Sequence, residues 1–304
     1  MSAVTTSTDA APVRHRAPGT ASGRPARTFR PGKVGAGVLA VAVALLWVFP
    51  VYWMINTSLL PRTQVQSRTP TFFSADAGIF NYARVLDGDS FLNALRMSVV
   101  VTLSTVLFVL VFAFLAALAI SRFRFRGRKS FIIAMLFIQM LPAEGLFIAQ
   151  YRMLSSANLL NSAVGLTVLY TAAVVPFTVW MLRGFVAGVP AELEEAAMVD
   201  GLSRTGAFIR ITFPLLAPGL VAAGVYAFLQ AWNEFTVALV ALPSNQAQTL
   251  PLWLRGFLNS SVSQGVNWGE VMAASTLIAV PVIIFFLIVQ GRMTGGLVSG
   301  AVKG

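Results

Sequence analysis

Residues 190–219 read PAELEEAAMVDGLSRTGAFIRITFPLLAPG, and no other polar stretch of the chain is like them. Pro190 suits the first position of a helix, where its preset backbone angle helps and its missing N–H would have no partner anyway. Glu192, Glu194 and Glu195 then place negative charge beside the positive end of the helix dipole. Gly201, after Asp200, supplies a left-handed residue that closes the helix, which limits it to about ten residues. A helix so short is marginal in water and gains stability by lying against something else. Leu193, Ala196, Ala197 and Asp200 fall at i, i+3, i+4 and i+7, a narrow stripe whose alanines admit a partner backbone closely. A second stripe, Glu192, Glu195 and Val199, carries charge. After Gly201 the run SRTGAFIRITF has room for a second short helical turn, and Pro214 opens an apolar run. From the residues alone two readings stand: a docking element for another protein, or an interfacial elbow joining two membrane spans.

Outward from this loop the chain is composed for a bilayer. Of its 304 residues 57% are hydrophobic and 11% charged, with a mean hydropathy of +0.76, whereas a soluble domain is about 25% charged. Apolar runs at about 35–58, 93–120, 131–150, 164–183, 214–240 and 271–290 each suffice for a membrane helix. The prediction is an all-α integral membrane protein of six transmembrane helices, with the quoted loop between spans four and five. Gln139, Pro142 and Glu144 interrupt the third run, and Pro142 predicts a kink or local break. The first run is too long for a signal-peptide core and no small-residue cleavage site is evident before Pro61, so an uncleaved span is expected. Residues 1–30 lack the apolar side chains that would offset ordering entropy. The expected organisation is a disordered cytoplasmic tail at 1–33, a membrane domain at 34–292, and a cytoplasmic C-terminal tail at 293–304.

Charge placement orients the chain. Formal net charge is +11, from 22 Lys and Arg against 11 Asp and Glu. Sixteen of the basic residues fall on one side of the predicted topology: the N-terminal tail, the Arg122–Lys129 loop, Arg183, Arg204 and Arg210, and the C-terminus. By the positive-inside rule both termini and the quoted loop are cytoplasmic. Orientation and attraction to anionic lipid account for the excess, so no nucleic-acid partner is implied. The chain has no cysteine, which excludes disulfides, thiolate catalysis and cysteine-ligated metals, and its single histidine, His15, sits in the polar tail. No G-x-x-x-x-G-K-[ST] run is present to wrap phosphates, since GRKS at 127–130 lacks the preceding glycine. Glu195 and Asp200 have no base or metal cluster near them in sequence, and no catalytic residue, metal site or cofactor is predicted.

The run EAAMVDGLSRTGAFIRITFP strongly resembles the EAA loop of ABC-importer permeases, with Glu195, Ala196, Ala197, Asp200, Gly201, Ile211 and Pro214 at the motif positions. VYWMINTSL, FNYARVL, AISRFRFRGRK, AWNEF and LPLWL extend the resemblance over nearly all of the chain after the tail, toward the carbohydrate-type importers that include the maltose transporter. The ending GLVSGAVKG is similar to that of the second of the two permeases in such systems. Met97 stands where asparagine is common before Ser98, and the N-terminal tail is longer than usual. The resemblance implies a multi-pass permease of a bacterial inner membrane. It implies a heterodimer with a second homologous permease, two cytoplasmic ABC ATPase subunits and an extracytoplasmic solute-binding protein. ATP would be bound by the ATPase, whose closure the EAA helix would pass to the membrane helices, and the cargo would be a sugar or oligosaccharide.

Polar residues within the apolar runs are costly against lipid and are expected to face the bundle interior or an aqueous path. Gln139, Glu144, Gln230, Trp232, Asn233 and Glu234 are therefore the substrate-pathway candidates. Glu234 lies about 30 Å along the helix from Pro214, so an interfacial structural role and solute contact both stand for it. In the outer loops, Ile79, Tyr82, Ala83 and Leu86 share one helical face, as do Leu250, Leu254 and Phe257. These are read as interfacial helices with Trp253 and Trp268 as belt residues, or as a platform for an external protein.

Overall fold

The computed structural model of the protein describes residues 31–262 and 265–300. Of the tail expected at 1–33, residues 1–30 lie outside them and 31–33 fall in the first helix; the last four residues also lie outside. The chain falls into two compact units, residues 1–49 and 50–304. Helix α1 (Pro31–Leu59) begins in the first unit and is apolar along its length, with Pro50 inside it. After it come α2 (Arg62–Val65), α3 (Phe80–Leu86), α4 (Ser90–Arg122), α5 (Arg128–Gln139) and α6 (Phe147–Ser156). Next are α7 (Ala163–Gly188), α8 (Glu192–Val199), α9 (Arg204–Ala207), α10 (Phe213–Asn233), α11 (Thr236–Ala241), α12 (Leu250–Val262) and α13 (Trp268–Gly300). No strand is found among the described residues.

Among the described residues, five helical stretches are long and apolar enough to cross a bilayer: 37–59, 90–122, 163–188, 204–233 and 268–291. The pair 128–139 and 143–156, bent by 95°, makes a sixth when counted as one span. Pro142 stands at that bend, followed by a 3₁₀ turn at Ala143–Leu146. Its ring removes a helical hydrogen bond and forces residue 141 away from helical angles. The run read as 214–240 is displaced at both ends. Helix continues backward from Phe213 through a π turn at Phe208–Thr212 into α9, and forward it stops at Glu234, whose backbone is extended. At the chain's end α13 runs to Gly300, into the segment expected as a tail.

Within residues 50–304 the bundle is organised around α4, which packs against α7 and α10. Its buried residues, from Ala94 through Ser98, Val101, Thr105, Val109, Ala113 and Ala117 to Ile120, advance three or four at a time, so they form one seam. On α10 the buried Gly219, Ala223, Ala227 and Ala231 repeat every fourth residue. Small residues matter here because lipid tails are as apolar as leucine, so helices associate through close packing rather than through expulsion of water. Helix α7 starts cleanly: the Ser162 hydroxyl accepts a hydrogen bond from Gly165 N at 3.0 Å.

Gly219 marks the tightest of these approaches. A Cβ there would sit 2.5 Å from Cγ and 2.9 Å from Cβ of Phe185 on α7, while one at Gly184 meets nothing within 4 Å. Gly219→Val is expected to lower the melting temperature of the detergent-purified protein by about 3–8 °C, as overpacking does. Gly184→Ala should leave it unchanged, and differential scanning fluorimetry checks both.

Candidate functional site

Helix α8 has eight residues and a well-formed close. Gly201 takes a φ of +93°, a region in which a Cβ is strained. Its N–H donates to Met198 O at 3.1 Å, and Leu202 N donates to Ala197 O at 3.1 Å. This pair of bonds satisfies carbonyls that the helix end would otherwise leave open. Ser203 then caps α9, its hydroxyl accepting from Gly206 N at 3.1 Å.

What ties α8 to the bundle is Glu194. One of its carboxylate oxygens lies 3.2 Å from Nη2 of Arg122, the last residue of α4. The same oxygen accepts a hydrogen bond from Oγ1 of Thr212 at 2.7 Å, and Thr212, fully buried, lies in the π turn that feeds α10. Arg122 Nη2 also donates to Val189 O at 3.2 Å, at the end of α7. That carbonyl is among those a helix C-terminus cannot satisfy by itself. The Arg122 and Glu194 side chains are 21% and 17% exposed. Hydrogen bonds to charged groups that shielded contribute about 1.5–3 kcal/mol each.

The motif positions divide between two faces. Ala197 is 8% exposed and turned inward beside Glu194. Glu195, Ala196 and Asp200 face outward with Glu192, Leu193 and Val199, the last 87% exposed. Ile211 is half-buried in the π turn, and Pro214 is exposed at the start of α10. The stripe of Leu193, Ala196, Ala197 and Asp200 is therefore split: Ala197 packs within the chain, and the outward face mixes acid with apolar surface. Glu194, Arg122, Thr212 and the Val189 carbonyl were not legible as a set. Glu194 reads in sequence as a dipole-complementing acid, and its partners lie far off along the chain.

The pathway candidates also divide. Trp232 is 3% exposed and stacks on Phe228 at 5.6 Å in a cluster with Phe91, Trp253 and Ala274. Its indole N–H is buried without a hydrogen-bond partner. Glu234 caps α11, its two oxygens accepting from Val237 N at 2.7 Å and Ala238 N at 3.0 Å. Gln139, Glu144, Gln230 and Asn233 are exposed. Gln230 Nε2 donates to Tyr226 Oη at 3.1 Å, and Asn233 Nδ2 to Leu229 O at 2.9 Å. Gln139 lines a cavity of about 220 Å³ with Trp180, Phe177 and Arg183.

At the opposite end of α4, the inward face of α3 is made by Asn81 and Val85 rather than by Ile79 and Leu86. Asn81 Nδ2 donates to the carbonyls of Ser58 and Leu60 at 2.9 and 3.0 Å. Trp253, read as a belt residue, is buried between Phe91 and Phe257, at ring separations of 5.2 and 5.1 Å. Trp268 remains half exposed.

Residues 110–294 match the family described as binding-protein-dependent transport system inner membrane component. The chain is 43% identical to the diacetylchitobiose uptake system permease protein DasC of Streptomyces coelicolor, over 90% of this chain and 98% of that one. It is 34% identical to the trehalose transport system permease protein SugB of Mycobacterium tuberculosis, over 88% and 95% respectively. It is 32% identical to the trehalose/maltose transport system permease protein MalG of Thermococcus litoralis, over 87% and 95%. In fold it is similar to a chain of a bacterial ABC transporter involved in the import of the acidic polysaccharide alginate. The TM-score there is 0.71 at 23% identity, covering 89% of this chain and 99% of that one.

Two substitutions separate scaffold from pathway. Glu234→Ala removes the cap of α11 and should lower the melting temperature by about 2–6 °C. Trp232→Phe should leave solute uptake by intact cells unchanged, because no polar group depends on the indole N–H. Lost uptake in Trp232→Phe at an unchanged melting temperature would instead put the indole on the solute path.

Proposed function

Because the chain belongs to the family of binding-protein-dependent transport system inner membrane components, we propose that it supplies half of the pathway of an ATP-driven importer of disaccharides or short oligosaccharides. Three relatives covered over nearly their whole length carry diacetylchitobiose, trehalose, or trehalose and maltose in their names. The solute would arrive on an extracytoplasmic binding protein, and a second homologous permease would complete a heterodimer. ATP would be bound and hydrolysed by two separate cytoplasmic subunits, so this chain needs no catalytic group or cofactor of its own. The basic loops support a cytoplasmic position for both termini and α8.

The outward face of α8 carries this reading. A helix of eight residues with Leu193 and Val199 turned to solvent leaves apolar area uncovered, and covering it yields roughly 25 cal/mol per Å². Glu192 and Glu195 flank that area and suit a cleft with a basic rim. Ala196 on the same exposed side lets the cleft wall come close, and Gly201 fixes where the helix ends. Closure of the ATPase pair would then displace α8 and, through it, the membrane helices. Gln139, Glu144, Gln230 and Asn233, all exposed, would line the route, and Trp232 and Glu234 would support it from behind.

Docking is tested by Glu195→Lys and Ala196→Trp in the full complex; Ala197 is unsuited to the test because it packs inside the chain. Both variants should insert normally but lose the ATPase subunits on purification in detergent, and uptake with them. Normal co-purification and uptake in both would overturn the reading.

A further inference from the structure

We infer that Arg122 and Glu194 are positioning residues that clamp α8 to α4, α7 and α10, so that the four move as one body when α8 is pushed. The inference rests on α8 being the ATPase-docking element, and adds how motion leaves it.

The chain on either side of α8 is poorly suited to carry force. Before it, Val189 and Pro190 form an extended joint after α7, and after it Gly201 sits in a left-handed turn leading to the extended Ser203. Backbone joints of this kind swivel, since only local dihedrals need change. The inward face of α8 offers little to grip by packing, because Ala197 is its one buried residue. Glu194 supplies the grip instead. Its oxygen meets the guanidinium that ends α4 and the hydroxyl of Thr212 at the foot of α10, and that guanidinium also holds the last carbonyl region of α7. One carboxylate and one guanidinium thus bridge four segments across both joints. The other three carboxylates near α8, Glu192, Glu195 and Asp200, are exposed, so Glu194 alone is committed inward. Its partners occupy it from within the chain, which makes it a transmitter rather than a contact for the ATPase.

The chain has no cysteine, so the clamp can be cut and remade in one protein. Arg122→Cys/Glu194→Cys is placed in the full complex, with the other subunits made cysteine-free, and reconstituted in liposomes with the binding protein. Solute moved per ATP hydrolysed is measured before and after a short bifunctional thiol reagent bridges the pair. Unbridged, the complex should keep its ATPase subunits and hydrolyse ATP, but the ratio should fall by about tenfold, as loss of a coupling element does. Bridged, it should return to near the unmodified ratio. A normal ratio in the unbridged pair, or a low one that bridging fails to raise, overturns the clamp. Loss of the ATPase subunits from the unbridged complex overturns it too, because Glu194 would then belong to the docking face. Arg122→Lys, which keeps charge and bulk but loses the planar fork, gives an independent check and should show an intermediate ratio. Glu195→Lys and Ala196→Trp in the same liposomes separate the premise: if both retain the ATPase and normal uptake, the docking reading fails, and the clamp, which depends on it, falls with it.

Discussion

A carboxylate shared between Arg122 and Thr212 holds an eight-residue helix against the edge of a membrane bundle. Isolated helices of that length do not hold in water, and α8 offers only Ala197 to a packing interface. Its remaining stability comes from the acids in its first turn, the left-handed close at Gly201, and the charged tie at Glu194. Because the tie points inward, Glu195, Ala196 and Val199 are left facing out. The geometry that orients the helix also determines which side chains are offered to a partner.

The rest of residues 50–304 forms the frame against which that tie pulls. Where helices α4, α7 and α10 meet, alanine, glycine and threonine are interleaved with Val, Leu and Ile, and the small residues let the helices approach closely where no hydrophobic force drives helix against helix. Gly219 against Phe185 is the closest of these contacts. Arg122 lies at the end of the α4 seam, so the clamp is anchored to the most extensively packed helix. The π turn at Phe208–Thr212 joins α9 to α10 without a break and carries Thr212 inward. Such turns recur at functional sites because they rotate a helix face without ending the helix.

Much of this was legible in the sequence. Runs of apolar residues gave the membrane class and the helical spans, Pro142 marked the bend, and Gly201 the close of α8. The facing of amphipathic segments was less legible, because periodicity defines stripes without saying which one meets the bundle. On α3 one of the two buried side chains is Asn81, whose amide satisfies two carbonyls at the C-terminal end of α1, those of Ser58 and Leu60, and an apolar-face reading cannot find a polar anchor. Polar residues in the fifth span looked alike as pathway candidates. Glu234 proved to be spent on backbone N–H groups, and Trp232 on aromatic stacking. Glu194 and Glu195 are adjacent and chemically identical, yet one is enclosed and the other free. Only the positions of Arg122 and Thr212, distant in sequence, separate them.

On the proposed reading, a cytoplasmic motor grips the outward face of α8. Since the chain is free of cysteine, Val199→Cys places one thiol on that face. Labelling with a membrane-impermeant maleimide, in right-side-out and inside-out vesicles with and without the ATPase subunits, tests the claim most directly. The account predicts labelling only in inside-out vesicles and its suppression when the ATPase is bound. Labelling from the outer face, or labelling inside that the ATPase does not diminish, would contradict it.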